Sequence, residues 1–116
     1  MRFAINYWRT SSGKAPVRKY IDDIESDEER AELFSALNGI QENGTDAIGV
    51  DFRQIEGKLW ELKIKTHGKQ HRIFYIVMKG SEMILLHAYL KKTQKAPTRE
   101  IDIAKQRMKQ LKEVKR

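Results

Sequence analysis

The sequence predicts a single α+β domain: an N-terminal strand and two helices, then a three-stranded antiparallel meander and a closing helix. Three observations predict it. Apolar residues recur at helical spacing between Val17 and Ile40 and again after residue 98, but at every second position between Lys58 and Leu90. Two punctuators, Gly68-Lys69 and Gly80-Ser81, have the chemistry of tight hairpin turns. The 116 residues hold no internal repeat, linker or low-complexity segment, so residues 1–116 read as one domain.

Taken in order, Arg2 to Trp8 sets Phe3, Ile5 and Tyr7 against Arg2, Ala4 and Asn6, which is the period of a strand. Thr10 to Lys14 is a loop, and Pro16 suits a first helical turn. Val17, Tyr20, Ile21 and Ile24 then carry a short helix to about Ile24. Ser26 with Glu29 makes a capping box. Asp27, Glu28 and Glu29 complement the positive end of the helix dipole. Leu33, Phe34, Leu37 and Ile40 form the apolar stripe of this second helix, and Asn43-Gly44 ends it. Thr45 to Ile55 reads as an irregular connection. The strands of the meander are Lys58–His67, Gln70–Lys79 and Glu82–Leu90. Pro97 and Thr98 open the last helix, with Thr98 as N-cap and Ile101, Ala104, Met108 and Leu111 as its apolar stripe.

Tight turns fix register. A Gly68-Lys69 turn sets Lys65 opposite Arg72 and Lys63 opposite Phe74. A Gly80-Ser81 turn sets Arg72 opposite Tyr89 and Phe74 opposite His87. Parity then puts Trp60, Leu62, Ile64, Ile73, Tyr75, Val77, Ile84, Leu86, Ala88 and Leu90 on one face, under the helices. The other face carries Glu61, Lys63, Lys65, Arg72, Phe74, His87 and Tyr89, with Lys91 and Lys92 leaving the third strand at the same edge.

The charge is segregated. Residues 1–57 hold 7 Lys/Arg against 11 Asp/Glu, whereas residues 58–116 hold 16 against 5, within a net charge of +7. Such a basic half is the electrostatic footprint of a polyanion-binding protein. No cysteine is present, which excludes thiol catalysis and Cys-ligated metals. No apolar run approaches a membrane span, and no signal-peptide pattern opens the chain, so the expected place is the cytoplasm. His67, His71 and His87 share no face with a carboxylate cluster, and neither an HExxH pattern nor a glycine-rich phosphate loop exists, so no metal site is expected.

The cationic face suits phosphate chemistry on RNA. Attack by a 2′-hydroxyl needs a group to take its proton, cations to hold the phosphate, and an acid for the leaving 5′-oxygen. Arginine grips phosphate bidentately, and a lysine among other cations releases its proton more readily. The candidate catalytic residues are therefore Lys63, Lys65, Arg72, His87, Tyr89 and Lys92. Candidate RNA contacts are Lys63, Lys65, Arg72, Phe74, Tyr89, Lys91, Lys92 and Lys95, with the aromatic rings offered to bases. Each residue also has a plain structural reading. The lysines can be solvated surface, Arg72 can pair with Glu61 or stack on Tyr89, His87 can be a satisfied half-buried histidine, and Phe74 and Tyr89 can be cross-strand packing.

The stretches "LWELKIKTHGKQHRIFYIV" and "ILLHAYLKKTQKAPTREIDIAKQRM" resemble the HigB-type branch of the RelE/ParE toxin superfamily, a branch with many phage-derived members. The upstream "GKAPVRKYIDDI" fits as the first helix, so the likeness covers nearly the whole chain. The resemblance implies a RelE-like fold and the toxin of a type II toxin–antitoxin pair. It implies a metal-independent endoribonuclease that cleaves mRNA at the ribosome, with no cofactor. It also implies a partner antitoxin with a helix-turn-helix domain (HigA-like), forming a hetero-oligomer. Arg72 matches the arginine at the family's strand start, Lys63 and Lys65 its basic strand residues, and Lys91 and Lys92 its basic pair. Lys63 stands where the branch has arginine, and Tyr89 where phenylalanine is common. Two other functions fit the sequence: a ParE-like toxin that inhibits DNA gyrase by binding, and a non-catalytic nucleic-acid-binding module.

Overall fold

The structure, a computed structural model, describes residues 2–114, with side chains as far as Leu111. The described residues form three α-helices and a five-stranded sheet. In chain order these are β1 (Ala4–Tyr7), α1 (Pro16–Asp22), α2 (Asp27–Asn43), β2 (Val50–Glu56), β3 (Leu59–Thr66), β4 (Lys69–Met78), β5 (Glu82–Lys91) and α3 (Thr98–Val114). The sheet order is β1-β5-β4-β3-β2, with β1 parallel to β5 and the other pairs antiparallel. This is the expected α+β architecture, compatible with a RelE-like fold.

The segment read as an irregular connection contains β2, an edge strand. Gly44, with φ of 61°, closes α2 by donating its N–H to the Ile40 carbonyl, and a 3-10 turn over Gly44–Asp46 follows. Val50 and Phe52 face the core between Asp51 and Arg53, an alternation hidden by its polar surroundings.

The helices divide between the two sheet faces. On one side α1 and α2 bury Val17, Ile21, Leu33, Leu37 and Ile40 against Leu62, Ile64, Ile73, Tyr75, Met83 and Leu85. On the other side α3 lays Ile101, Ala104, Met108 and Leu111 over Leu59, Phe74, Ile76, Ile84 and Leu86. The expectation that Ile84 and Leu86 share a face with Leu62 and Ile73 is therefore corrected. Its cause is a β-bulge: Phe74 pairs with His87 but Tyr75 pairs with Leu85, leaving Leu86 as an extra residue. Leu86 and His87 consequently both point toward α3.

Both hairpins turn elsewhere than expected. Thr66 pairs with Lys69, so the first turn is His67-Gly68, and both residues adopt positive φ (46° and 81°) as a type I′ turn requires. The pairing moves by two residues: Lys63 faces Arg72, and Lys65 faces Gln70. A two-residue shift preserves parity, so the faces of β3 are as predicted. The second loop has three residues, Lys79 to Ser81, between paired Met78 and Glu82. The bulge absorbs that difference, and the predicted pairs Arg72–Tyr89 and Phe74–His87 stand.

The caps differ in detail. The Ser26 side chain accepts from the Glu29 N–H at 3.1 Å, but the Glu29 carboxylate turns inward instead of reaching back. Thr98 is the first residue of α3, not its cap; the Pro97 carbonyl accepts from the Ile101 N–H.

Phe74 is fully buried, so Phe74→Ala is expected to lower stability by about 3–5 kcal/mol. Ile48, 96% exposed, gives a control: Ile48→Ala should stay within about 0.5 kcal/mol of the parent. Urea denaturation of both variants checks this, and a stable Phe74→Ala protein would count against the two-sided core.

Candidate nucleic-acid interface

Three strands deliver charged side chains to one end of the α3 face. Across the sheet, the row Tyr89–Arg72–Lys63 lies beside the row Lys91–Gln70–Lys65. Lys63, Gln70, Arg72 and Lys91, with Lys92, Thr93 and Gln94 beyond β5, line a cleft of about 380 Å³. A second cleft of about 380 Å³ shares Lys63 and Gln70 and adds Lys65, Asp51, Val50 and Gly49. A smaller hollow of about 210 Å³, with Tyr89, Lys91, Lys92, Lys95 and Glu100 in its wall, continues past Pro97.

Arg72 is buried at the floor of the first cleft. Its Nη1 donates to Glu61 Oε1 at 2.9 Å and its Nη2 to Gln70 Oε1 at 2.8 Å, while its Nε is buried without a partner. Glu61 is only 1% exposed, and its other oxygen accepts a long hydrogen bond (3.5 Å) from the Tyr89 hydroxyl. Burial first, then the Glu61 charge, pushes the Tyr89 hydroxyl up to about 12, with Arg72 opposing. Tyr89 thus carries its proton at neutral pH and can supply one.

The rings of Phe74, His87 and Tyr89 lie in near-parallel planes as a triangular cluster, each pair of centroids 5.7 to 6.4 Å apart. Phe74 is sealed beneath α3, so the expectation that its ring stacks on a base is corrected. Tyr89, the half-buried phenol of this cluster, keeps access to the hollow. His87 bonds Glu100 of α3 through Nε2 at 2.8 Å, and Arg107 Nη1 lies 3.5 Å from its Nδ1. Burial holds His87 below its ordinary value against the pull of Glu100, with Arg107 adding to the depression. Neutral His87 then donates from Nε2 and accepts at Nδ1.

Residues 19–109 match the family described as "Phage derived protein Gp49-like (DUF891)". The chain belongs to this family. It is a family of toxin–antitoxin toxins within the RelE/HigB-type group, and its members are generally RelE-like endoribonucleases. Membership implies an antitoxin partner. No curated protein matches the chain. Among the described residues of this Gp49-like toxin, no helix is long and apolar enough to cross a membrane.

The expectation that no histidine shares a face with a carboxylate cluster rests on the strands alone and is corrected at His67. Each histidine of the toxin pairs with a glutamate from a helix. His87 pairs with Glu100 as above. His67, at the hairpin tip, lies 2.9 Å from Glu32 and 3.9 Å from Glu28 on α2. The ligand atoms of these three exposed or half-exposed residues all lie within 4.8 Å of one another, an arrangement that ties the tip to α2. His71, buried on the α1/α2 face, lies 2.7 Å from Glu29 through Nε2 and 2.7 Å from the Tyr20 hydroxyl through Nδ1. Thr66 donates to the same Glu29 oxygen at 2.9 Å.

Glu61, Gln70 and Glu100 are the residues that sequence reasoning left out of the site. Glu61 was legible as a partner of Arg72. Gln70 depended on the turn position, and Glu100 on knowing that α3 crosses this face.

The His71 hydrogen bond, ahead of Thr66 and Lys69 and against the cost of burial, holds the Glu29 carboxyl below the usual glutamate range. A depressed folded value stabilises the protein above the ordinary glutamate range, and that stabilisation is lost as pH falls through the folded value. Urea midpoints should therefore fall with acidification in that window, and Glu29→Gln should flatten this dependence. An unchanged acid slope in Glu29→Gln would remove Glu29 from the explanation.

Proposed function

We propose that this Gp49-like toxin is a HigB-type, ribosome-dependent mRNA endoribonuclease, blocked by a HigA-like helix-turn-helix antitoxin. The observation that carries the reading is the convergence of Lys63, Arg72, Lys91 and Lys92 on one cleft, with Tyr89 and Lys95 in the adjoining hollow. Four basic side chains, one of them a buried arginine, fit a bound phosphate better than a structural ion pair, which needs one counterion.

In this reading Arg72 and Lys92 hold the scissile phosphate and the charge that grows on it. Lys63 is the favoured base for the 2′-hydroxyl proton, because it lines the same cleft as Arg72; Lys65 lies in the adjoining one. As the 2′-oxygen bonds to phosphorus, the bond to the 5′-oxygen breaks, and Tyr89 donates its proton to that leaving oxygen. The alkoxide is a stronger base than the phenolate, so this transfer runs downhill. The product is a 2′,3′-cyclic phosphate, which water opens to a 3′-phosphate. His87 is the weaker candidate for the acid, since its Nε2 proton is engaged by Glu100. The antitoxin is assigned to the side of the acidic helices α1 and α2, leaving the cationic clefts open.

Primer extension on cellular mRNA after induction tests the reading: in-frame cuts that vanish when translation is blocked are expected. Intact mRNA with damaged DNA would favour gyrase inhibition, and intact mRNA and DNA with bound RNA a non-catalytic module.

Arg72→Ala is expected to lower cleavage about a hundredfold, or roughly 3 kcal/mol of transition-state stabilisation. Tyr89→Phe should lower it by about 10²–10⁴. Rates with purified ribosomes and a short mRNA check both, with circular dichroism to establish folding. Full activity in either folded variant would remove that residue from the machinery.

A further inference from the structure

We propose that Glu61 is a positioning residue of the cationic cleft: buried beneath it, its carboxylate fixes the Arg72 guanidinium and the Tyr89 hydroxyl in one constellation. The inference rests on the ribonuclease reading of that cleft.

A carboxylate is out of place where phosphate must bind, because its charge repels the ligand. Glu61 avoids the conflict by position. Arg72 lines the cleft, while Glu61 lines none of the clefts described above and is 1% exposed. One oxygen takes Arg72 Nη1 at 2.9 Å and the other takes the Tyr89 hydroxyl at 3.5 Å. The three residues come from three adjacent strands, so the carboxylate links side chains that the backbone alone places only in a row.

Stability does not account for an ion pair at this place. A buried pair contributes little over apolar residues of the same volume. The neighbouring floor is already apolar, with Phe74 opposite Glu61 and Leu59 two residues along β3. The cost is visible too, since Arg72 Nε is buried without a partner. A guanidinium held at such a cost is held for its direction. Gln70, on the cleft side, is the exchangeable partner: a phosphate oxygen can take its place at Nη2 while Glu61 keeps Nη1.

The test compares the wild-type protein with Glu61→Gln, which keeps shape and an acceptor but loses the charge. Three quantities are read: single-turnover cleavage on the ribosome, affinity for an all-deoxy oligonucleotide that the 2′-hydroxyl route cannot cleave, and Tyr89 ionisation by ultraviolet titration against Tyr89→Phe in each background. Cleavage should fall about tenfold to a hundredfold. Oligonucleotide affinity should hold or tighten, because a buried negative charge is gone. Tyr89 should ionise at lower pH than in the wild type. Unchanged cleavage in folded Glu61→Gln would overturn the proposal. Cleavage and affinity falling together, in step with lost folded protein, would also overturn it by showing a merely structural role.

Should Glu61→Gln not fold, Glu61→Asp keeps the charge and shortens the reach. Reduced cleavage with retained affinity is then expected, and a wild-type rate overturns the proposal. If the wild-type protein cleaves no RNA, the ribonuclease reading fails by itself. Affinity and the Tyr89 titration still decide the role of Glu61, and a Tyr89 ionisation unmoved by Glu61→Gln counts against it.

Discussion

Strand β4 is buried on both faces, and most of the molecule follows from that constraint. A strand in this position can carry a charged residue only with its counterion, since an unpaired buried charge costs several kcal/mol. Its middle, Ile73 to Ile76, holds no charged residue and serves both cores. Its polar residues are confined to the end near the first hairpin, and the two buried ones each bring a glutamate: His71 with Glu29 toward α2, Arg72 with Glu61 toward the α3 side. The two pairs sit back to back on consecutive residues, one per face. The first anchors a helix to the sheet, and the second sets an arginine at the floor of a cationic cleft.

The anchor and the cleft are mechanically joined. Glu29, Thr66 and His71 tie α2 to β3 and β4, and Lys69 adds an ion pair to Glu29 at 3.5 Å. His67 fastens the hairpin tip to the next turn of α2. The hairpin stem that carries Lys63, Lys65, Gln70 and Arg72 is therefore held from the face opposite the cleft. This is how a basic surface becomes a defined site: the lysines are long and solvated, but the backbone that presents them is fixed by buried hydrogen bonds.

Much of this was legible in the residues. The helices and the meander followed from period and caps, whereas the Arg72–Tyr89 pair stands because the longer second loop and the bulge at Leu86 offset each other. The misreadings have physical causes. Glycine suits either position of a type I′ turn, since both need positive φ, and here His67 takes the first and Gly68 the second. That moved Lys63 to Arg72 without changing the face. The bulge at Leu86 lies inside an apolar run and leaves no turn residue to announce it. The burial of Phe74 did have a signal, since "RIFYIVM" and "MILLHAYL" are nearly continuous apolar runs, which mark strands covered on both sides. A reading by strict alternation hides this, because it leaves the face that carries Phe74 uncovered, where α3 in fact lies. Strand β2 escapes the pattern because its few apolar residues divide between the faces, Val50 and Phe52 toward one core and Ile55 toward the other, in a polar setting.

The central claim is that the cleft over Arg72 promotes attack by a 2′-hydroxyl on RNA. It is tested most directly with one substrate pair: a ribosome-bound mRNA, and the same mRNA with a single 2′-deoxy nucleotide on the 5′ side of the cut. The expected result is cleavage of the first to a 2′,3′-cyclic phosphate or 3′-phosphate end, and no cleavage of the second at that position. Cleavage of the deoxy substrate at the same bond, leaving a 3′-hydroxyl, would contradict it.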